Sequence, residues 1–361
     1  MVPLNPHDAL ASAADPLAKK PAQGLVGHYA QALLAQLGGV SRAHGTGLLS
    51  HSDCRLHDMG ENHPECPQRL SAIDDRLLVT GVADALVAVD APLAHTSDLL
   101  LAHTPAHIDH LLRQSQQLVA ALNDVSGLSH HQIDPDTLMN VHTWQAALRA
   151  AGAAMAGVDA VMNGLLANVF CATRPPGHHA KKAQAMGFCF FSNVALAARY
   201  AQAVHGVQRV AIVDFDVHHG NGTQDVVQGV GGIEMFSFFQ HPFYPYDEAF
   251  DGSANLHNVP VPAYAAGKAI RDIVTKQWLP ALHAYKPELL LVSAGFDAHR
   301  DDDLAQLGLV EADYAWMTQQ LVDVANAHAK GRIVSCLEGG YDLRALANSV
   351  EVHVRVLADL A

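Results

Sequence analysis

Short, largely apolar runs that alternate with amphipathic helical stretches constrain this chain more than any other feature. The runs cover residues 46–50, 168–173, 209–214, 233–239, 288–293 and 332–337 and are rich in Val, Ile, Leu and Phe. A strand that is apolar on both sides is buried on both sides, as in a parallel sheet covered by helices. The clearest helix is predicted over residues 192–205, with Ser192 as N-cap, Ala and Leu in the body and Gly206 past the end. A second, Ala-rich and suited to close packing, is predicted over 144–164. The alternation predicts an α/β fold with a single doubly wound, mainly parallel sheet and helices on both faces. No internal repeat or low-complexity linker interrupts it, so residues 46–361 are expected to form one domain.

Residues 1–45 read as an extension. Pro3, Pro6, Pro16 and Pro21 break its first part. Leu25, Tyr29, Leu33 and Leu37 then have helical spacing across 24–37 until Gly38-Gly39 stops it, which predicts a packing helix or one that builds a homo-oligomer. No basic region precedes an apolar stretch over 1–21, so no secretory signal is expected. No apolar run approaches the ~18 residues a membrane span requires. The five cysteines, an odd number without a CxxC pair, do not form a disulfide framework, and Cys171 and Cys336 read as buried thiols of a cytoplasmic protein. Lys and Arg number 22 against 36 Asp and Glu, a net charge of −14, which disfavours nucleic acid and favours cationic partners.

In sheets of this kind ligands bind at the carboxyl ends of the strands. Four predicted strands run there into Gly-marked loops carrying His, Asp or Tyr: Arg174-Pro175-Pro176-Gly177-His178-His179; Asp214-Phe215-Asp216-Val217-His218-His219-Gly220-Asn221-Gly222; Ala294-Gly295-Phe296-Asp297-Ala298-His299; and Glu338-Gly339-Gly340-Tyr341. In extended backbone, residues two apart point the same way, so Asp216 and His218 are expected to grip one ion. Asp297 is the natural third ligand, and a set of two carboxylates and one imidazole suits zinc or another divalent transition ion. His178 and His179, being adjacent, read as a general acid–base pair beside the metal, with Asp214 and Asn221 as candidates to fix their tautomers. Tyr341 follows two glycines and is a candidate donor to a developing oxyanion. Phe188 and Tyr244 are candidate walls of a narrow apolar tunnel, a role that for Phe190 and Phe191 competes evenly with core packing.

These motifs resemble the histone deacetylase family from about residue 46 to the C-terminus. The matching stretches are His63-Pro64-Glu65-Cys66-Pro67-Gln68-Arg69, Asp134-Pro135-Asp136-Thr137, 174–179, Gly187-Phe188-Cys189-Phe190-Phe191-Ser192-Asn193, 214–222, 295–299 and 337–342. The Asn221-Gly222 pair and Glu338-Gly339-Gly340-Tyr341 are similar to the class II branch and its bacterial amidohydrolase relatives, acetylpolyamine amidohydrolases among them. The resemblance implies an arginase/deacetylase fold and catalytic Zn2+ on Asp216, His218 and Asp297. It implies that Asp214 pairs with His178, that Asn221 stands where some members pair an Asp with the second histidine, and that Tyr341 is the oxyanion donor. It implies a K+ site from Asp214, main-chain oxygens of Asp216 and His218, and Ser237 with Phe238. Along the tunnel it implies Gly187 and Phe188, with Tyr244 where many members have Phe. Leu304 falls where a polyamine-selective relative carries an acidic gatekeeper and so gives no reason to favour polyamines. Asp124 and Asp136 are acidic residues in or near a loop that could reach a pocket rim.

The chemistry this implies is hydrolysis of an N-acyl amide on a primary amine, the substrate being an acylated lysine or an acylated polyamine. His179 takes the proton of water, a protonated histidine serves the leaving amine, and Tyr341 steadies the oxyanion. Two rivals stand beside it. A two-manganese ureohydrolase of the same fold needs more carboxylates than Val217, His219, Gly220 and Asn221 provide. A catalytically silent acyl-lysine-binding protein would not need every catalytic position filled.

Overall fold

The structure, a computed structural model, describes residues 24–122, 129–246 and 252–360. Its strands are β1 (Arg42–Ser50), β2 (Val87–Asp90), β3 (His131–Asp134), β4 (Thr137–Met139), β5 (Leu166–Cys171), β6 (Val210–Asp214), β7 (Ile233–Gln240), β8 (Leu256–Val261), β9 (Leu289–Ala294) and β10 (Ile333–Leu337). Eight form one sheet in the order β2-β1-β5-β10-β9-β6-β7-β8, and β3 and β4 make a separate antiparallel hairpin. Every pairing in the large sheet is parallel.

Side chains on a strand alternate between faces, and here both faces are apolar. Val210 and Ile212 of β6, and Leu289 and Leu291 of β9, join the core beneath the helices Thr143–Met162 and Asn193–His205. Ala211, Val213, Leu290 and Val292 join a second core beneath Glu311–His328 and Leu343–Leu357. This is the doubly wound arrangement expected from the apolar runs. Cys171 and Cys336 are buried free thiols.

Several elements differ from the sequence expectation. The edge strands β2 and β8 were not anticipated: β2 is only four residues long, and β8 mixes polar and apolar residues. In β8, Pro260 lies beside Phe239, and an edge strand tolerates the missing N–H. β1 begins at Arg42, so the first strand draws on the last residues of the stretch read as an extension. Ser192 occupies the N-cap position of Asn193–His205, but its hydroxyl does not cap the helix; it is buried without a hydrogen-bond partner among the described residues. The C-cap is as expected, with Gly206 left-handed at φ 66°.

The helix predicted across 24–37 is confined to Ala30–Gln36, since Gly24 and Gly27 adopt φ of 110° and 111°. Tyr29, Leu33 and Leu37 are buried in the core, and Tyr29 donates its amide to Asp159 (2.8 Å) and its hydroxyl to Asp98 (2.8 Å). The prolines of the first part, and Asp124, lie outside the described residues. No helix among the described residues is long and apolar enough to cross a membrane.

Candidate active site

The strands β5, β10, β9 and β6 are consecutive neighbours at the centre of the sheet. The four loops singled out in the sequence follow these four strands, so one cluster receives them all. Asp216, His218 and Asp297 are buried, and one ligand atom from each lies within 4.8 Å of the others. His218 Nδ1 is 3.1 Å from Asp216 Oδ1 and 3.2 Å from Asp297 Oδ2. Glycine makes room for these carboxylates: a Cβ at Gly295 would sit 2.0 Å from Asp216 Oδ2, and one at Gly339 2.0 Å from Asp297 Oδ2.

No lysine or arginine pairs with either carboxylate among the described residues. Burial and the charge of Asp216 push the Asp297 carboxyl up to about 7. Burial works against charge on His218, yet the hydrogen bonds it donates to Asp216 and Asp297 hold its imidazole up at about 10. Two buried carboxylates facing one imidazole in this way form a donor set that a divalent cation would satisfy. The residues present fit one metal ion. The three form the only such cluster of three or more His, Cys, Asp or Glu among the described residues.

The histidine pair stands beside this cluster. His178 and His179 have ring centroids 4.1 Å apart, and the His179 ring lies 5.8 Å from that of His218. His178 Nδ1 is 3.0 Å from Asp214 Oδ2, and His179 Nδ1 is 2.8 Å from Asn221 Oδ1. In each pair the acceptor oxygen puts the proton on Nδ1 and leaves Nε2 for chemistry. Burial opposes charge on His178, but Asp216 and Asp214 hold its imidazole well above the usual range. Burial and the charges of His178 and His218 hold His179 well below it. Adjacent histidines pushed in opposite directions are suited to acid and base roles respectively.

Tyr341 follows β10 on the rim, and burial with the charge of Asp297 raises its hydroxyl well above the ordinary value, so it stays a donor. Phe188 lies edge-on to Tyr341 at 5.9 Å and to His63 at 4.7 Å. Tyr244 is edge-on to His179 at 5.1 Å. Gly187 separates the two walls: a Cβ there would come 2.5 Å from the His179 ring and 2.9 Å from the Tyr244 hydroxyl. That hydroxyl is buried without a hydrogen-bond partner among the described residues. Leu304 and Tyr341 line a cavity of about 560 Å³. The β6–β7 register sets Asp214 beside Ser237, whose hydroxyl is 3.4 Å from the carbonyl oxygen of Phe238. Phe190 and Phe191 belong to the core, both fully buried. Asp136 is near the tunnel: its carbonyl accepts from His63 Nε2 (3.1 Å), and neighbouring Thr137 Oγ1 accepts from the Phe188 amide (2.9 Å).

Sequence reasoning gave no role to four residues that hold this site. Glu338 accepts from the amides of Gly177 (2.6 Å) and His178 (3.1 Å) and from Ser293 Oγ (3.0 Å), tying the end of β10 to the 174–179 loop and to β9. Arg69 donates to the carbonyls of Gly340 (2.7 Å) and Glu338, and its guanidinium lies 5.0 Å from the Tyr341 ring centroid. Asp302 accepts from the amides of Tyr341 (2.6 Å) and Asp342 (3.1 Å). Phe243 stacks on His218 at 5.6 Å. Glu338 and Arg69 lie inside motifs quoted above, so the signal is present; Asp302 stands in a run of three aspartates outside those motifs.

A family model described as the histone deacetylase domain matches residues 63–357. The histone deacetylase-like amidohydrolase of Pseudomonas aeruginosa is 38% identical over 286 residues, covering 77% of this chain and 72% of that protein. Polyamine deacetylase HDAC10 of Homo sapiens is 35% identical over 329 residues, covering 87% of this chain and 48% of that one. The crystal structure of the HDA15 HD domain has a TM-score of 0.80 and 33% identity, covering 88% of this chain and 90% of that one, and the sheet is the arginase/deacetylase fold.

Proposed function

The chain belongs to the histone deacetylase family, and from that premise we propose that it hydrolyses an N-acyl amide on a primary amine with one zinc ion bound. The observation that carries this reading is the Asp216, His218 and Asp297 cluster beside two histidines whose basicities are pushed apart. When bound, the metal supplies Lewis acidity to an amide carbonyl and to water. His179, neutral and fixed by Asn221, takes the proton of the attacking water at Nε2. His178, charged and held by Asp214, keeps a proton at hand for the departing amine, which leaves poorly unprotonated. The Tyr341 hydroxyl donates to the oxygen that gains charge. Phe188 and Tyr244 exclude water from the acyl-bearing chain.

A K+ ion on Asp214, Ser237, Phe238 and the main chain of Asp216 and His218 would brace the strand end that carries the ligands. The catalytic unit of this proposal is residues 46–361, with 24–41 packed on it and 42–45 opening β1 of its sheet. Leu304 gives the rim no carboxylate at the gatekeeper position, which favours an acyl-lysine over an acylpolyamine substrate. The polyamine activity in the name of HDAC10 supports the second reading. The deciding measurement compares kcat/KM of the zinc-loaded protein on an acetyl-lysine peptide, N-acetylputrescine, N-acetylcadaverine and N-acetylspermidine. Clear preference for the polyamines would reject the lysine reading. No turnover of any of them would favour a silent binding protein.

A further inference from the structure

The cavity that Tyr341 lines also has Asp303 and Arg344 in its wall. Both are exposed, and among the described residues neither side chain is engaged in an ion pair. Their neighbours are occupied. Asp342 caps the helix Leu343–Leu357 by accepting from the Ala345 amide at 2.7 Å. Asp302 is buried and accepts from the amides of Tyr341, Asp342 and Leu304. Asp302 thereby ties the segment bearing Asp303 to the segment bearing Arg344, so the mouth presents one carboxylate and one guanidinium, neither ion-paired among the described residues, on two joined segments.

A free guanidinium at a binding mouth takes a carboxylate with two parallel hydrogen bonds and repels an ammonium. A free carboxylate does the reverse. A polyamine brings only cations and meets Arg344 as a like charge, an element that works against it. A lysine inside a peptide brings neither charge, its α-groups being amides. Only an α-amino acid head group brings both.

Resting on the deacylase reading above, we infer that this mouth reads the α-ammonium and α-carboxylate of a free amino acid acylated on its side-chain amine, with Arg344 taking the carboxylate and Asp303 the ammonium. Tyr341 then meets the acyl end of the same molecule.

Nε-acetyl-L-lysine and N-acetylcadaverine differ only in the α-carboxylate, so the pair isolates the contribution of Arg344. The experiment measures kcat/KM for both with the zinc-loaded full chain, unaltered and as Arg344→Gln and Arg344→Lys. It also measures binding of both by calorimetry to Tyr341→Phe, which needs no turnover. The unaltered protein should favour acetyl-lysine. Arg344→Gln should lower the acetyl-lysine to acetylcadaverine ratio about tenfold, mainly through KM, and Arg344→Lys should retain part of it. The dissociation constants should show the same order. A ratio that Arg344→Gln leaves within about twofold, or a preference for acetylcadaverine in the unaltered protein, overturns the inference. Failure of the deacylase reading is distinct: neither compound nor an acetyl-lysine peptide would be hydrolysed, and the binding ratio on Tyr341→Phe would still decide whether the head group is read.

Discussion

The side-chain oxygen of Asn221 lies 2.8 Å from Nδ1 of His179. An amide there orients the ring without lending it negative charge, whereas His178 has the carboxylate of Asp214 at 3.0 Å. The difference helps to keep His179 neutral while His178 is charged. Asn221→Asp should therefore raise the basicity of His179. Since the neutral ring is the active base, the acid limb of the kcat/KM profile should move to higher pH by about one unit. An unmoved limb would count against His179 as the base.

Tyr341 lies edge-on to Phe188 and beneath the guanidinium of Arg69, so its hydroxyl is positioned from two sides. Removing that hydroxyl should leave fold and metal binding in place. We expect Tyr341→Phe to lose about 10²- to 10³-fold in kcat with little change in KM. Near-normal kcat, measured with a zinc content matching the parent, would refute its assignment as the oxyanion donor.

Much of this site was legible because the chemistry of each residue coincides with a strand end. Asp216, His218 and Asp297 are separated by up to 81 positions, yet β6 and β9 are direct neighbours, so sheet topology brings them together. The strand runs were readable because burial on both faces demands unbroken apolar sequence, and β2 and β8 escaped because edge strands carry no such demand. Asp302 and Arg69 were given no role for a different reason. They act through backbone groups of Tyr341 and Gly340, and a side chain that binds backbone leaves no residue type at its target to recognise.

Glu65 is fully buried between two fully buried guanidiniums. Its Oε1 accepts from Arg69 Nη1 (3.1 Å) and its Oε2 from Arg174 Nη2 (2.6 Å). Burial opposes its charge, but Arg174 and His57 hold the carboxyl well below the usual range. Glu65→Gln keeps the shape and leaves two buried cations without their counterion. It should destabilise the protein by about 3–5 kcal/mol in urea unfolding. Arg69 also secures the loop of Tyr341, so residual activity should fall by more than the unfolded fraction explains.

The metal cluster predicts a stability linkage. Chelation should abolish turnover and lower the thermal midpoint, and added zinc should restore both. At a hundredfold excess of zinc over its dissociation constant, the gain should be about 2.7 kcal/mol. Asp297→Asn removes one of three ligands, and its thermal midpoint should no longer respond to zinc. A response equal to that of the parent would show that the ion binds elsewhere.

His353 extends the pH behaviour beyond the site. It is buried between the Thr318 hydroxyl (2.7 Å) and the Ser335 hydroxyl (2.9 Å), and burial pushes its imidazole down from the usual 6.5 to about 3. The folded state therefore resists a proton that the unfolded chain accepts readily. The neutral form's contribution to stability is complete above about pH 6.5 and is lost as pH falls from there toward 3. At pH 5 the loss is about 2 kcal/mol from this residue alone. His103, buried and likewise held at about 3, adds to the same slope. His353→Gln cannot titrate, so between pH 7 and pH 5 it should lose about 2 kcal/mol less than the parent does, read from urea midpoints at the two pH values. Equal losses in both proteins would mean that His353 is protonated in the folded state without cost.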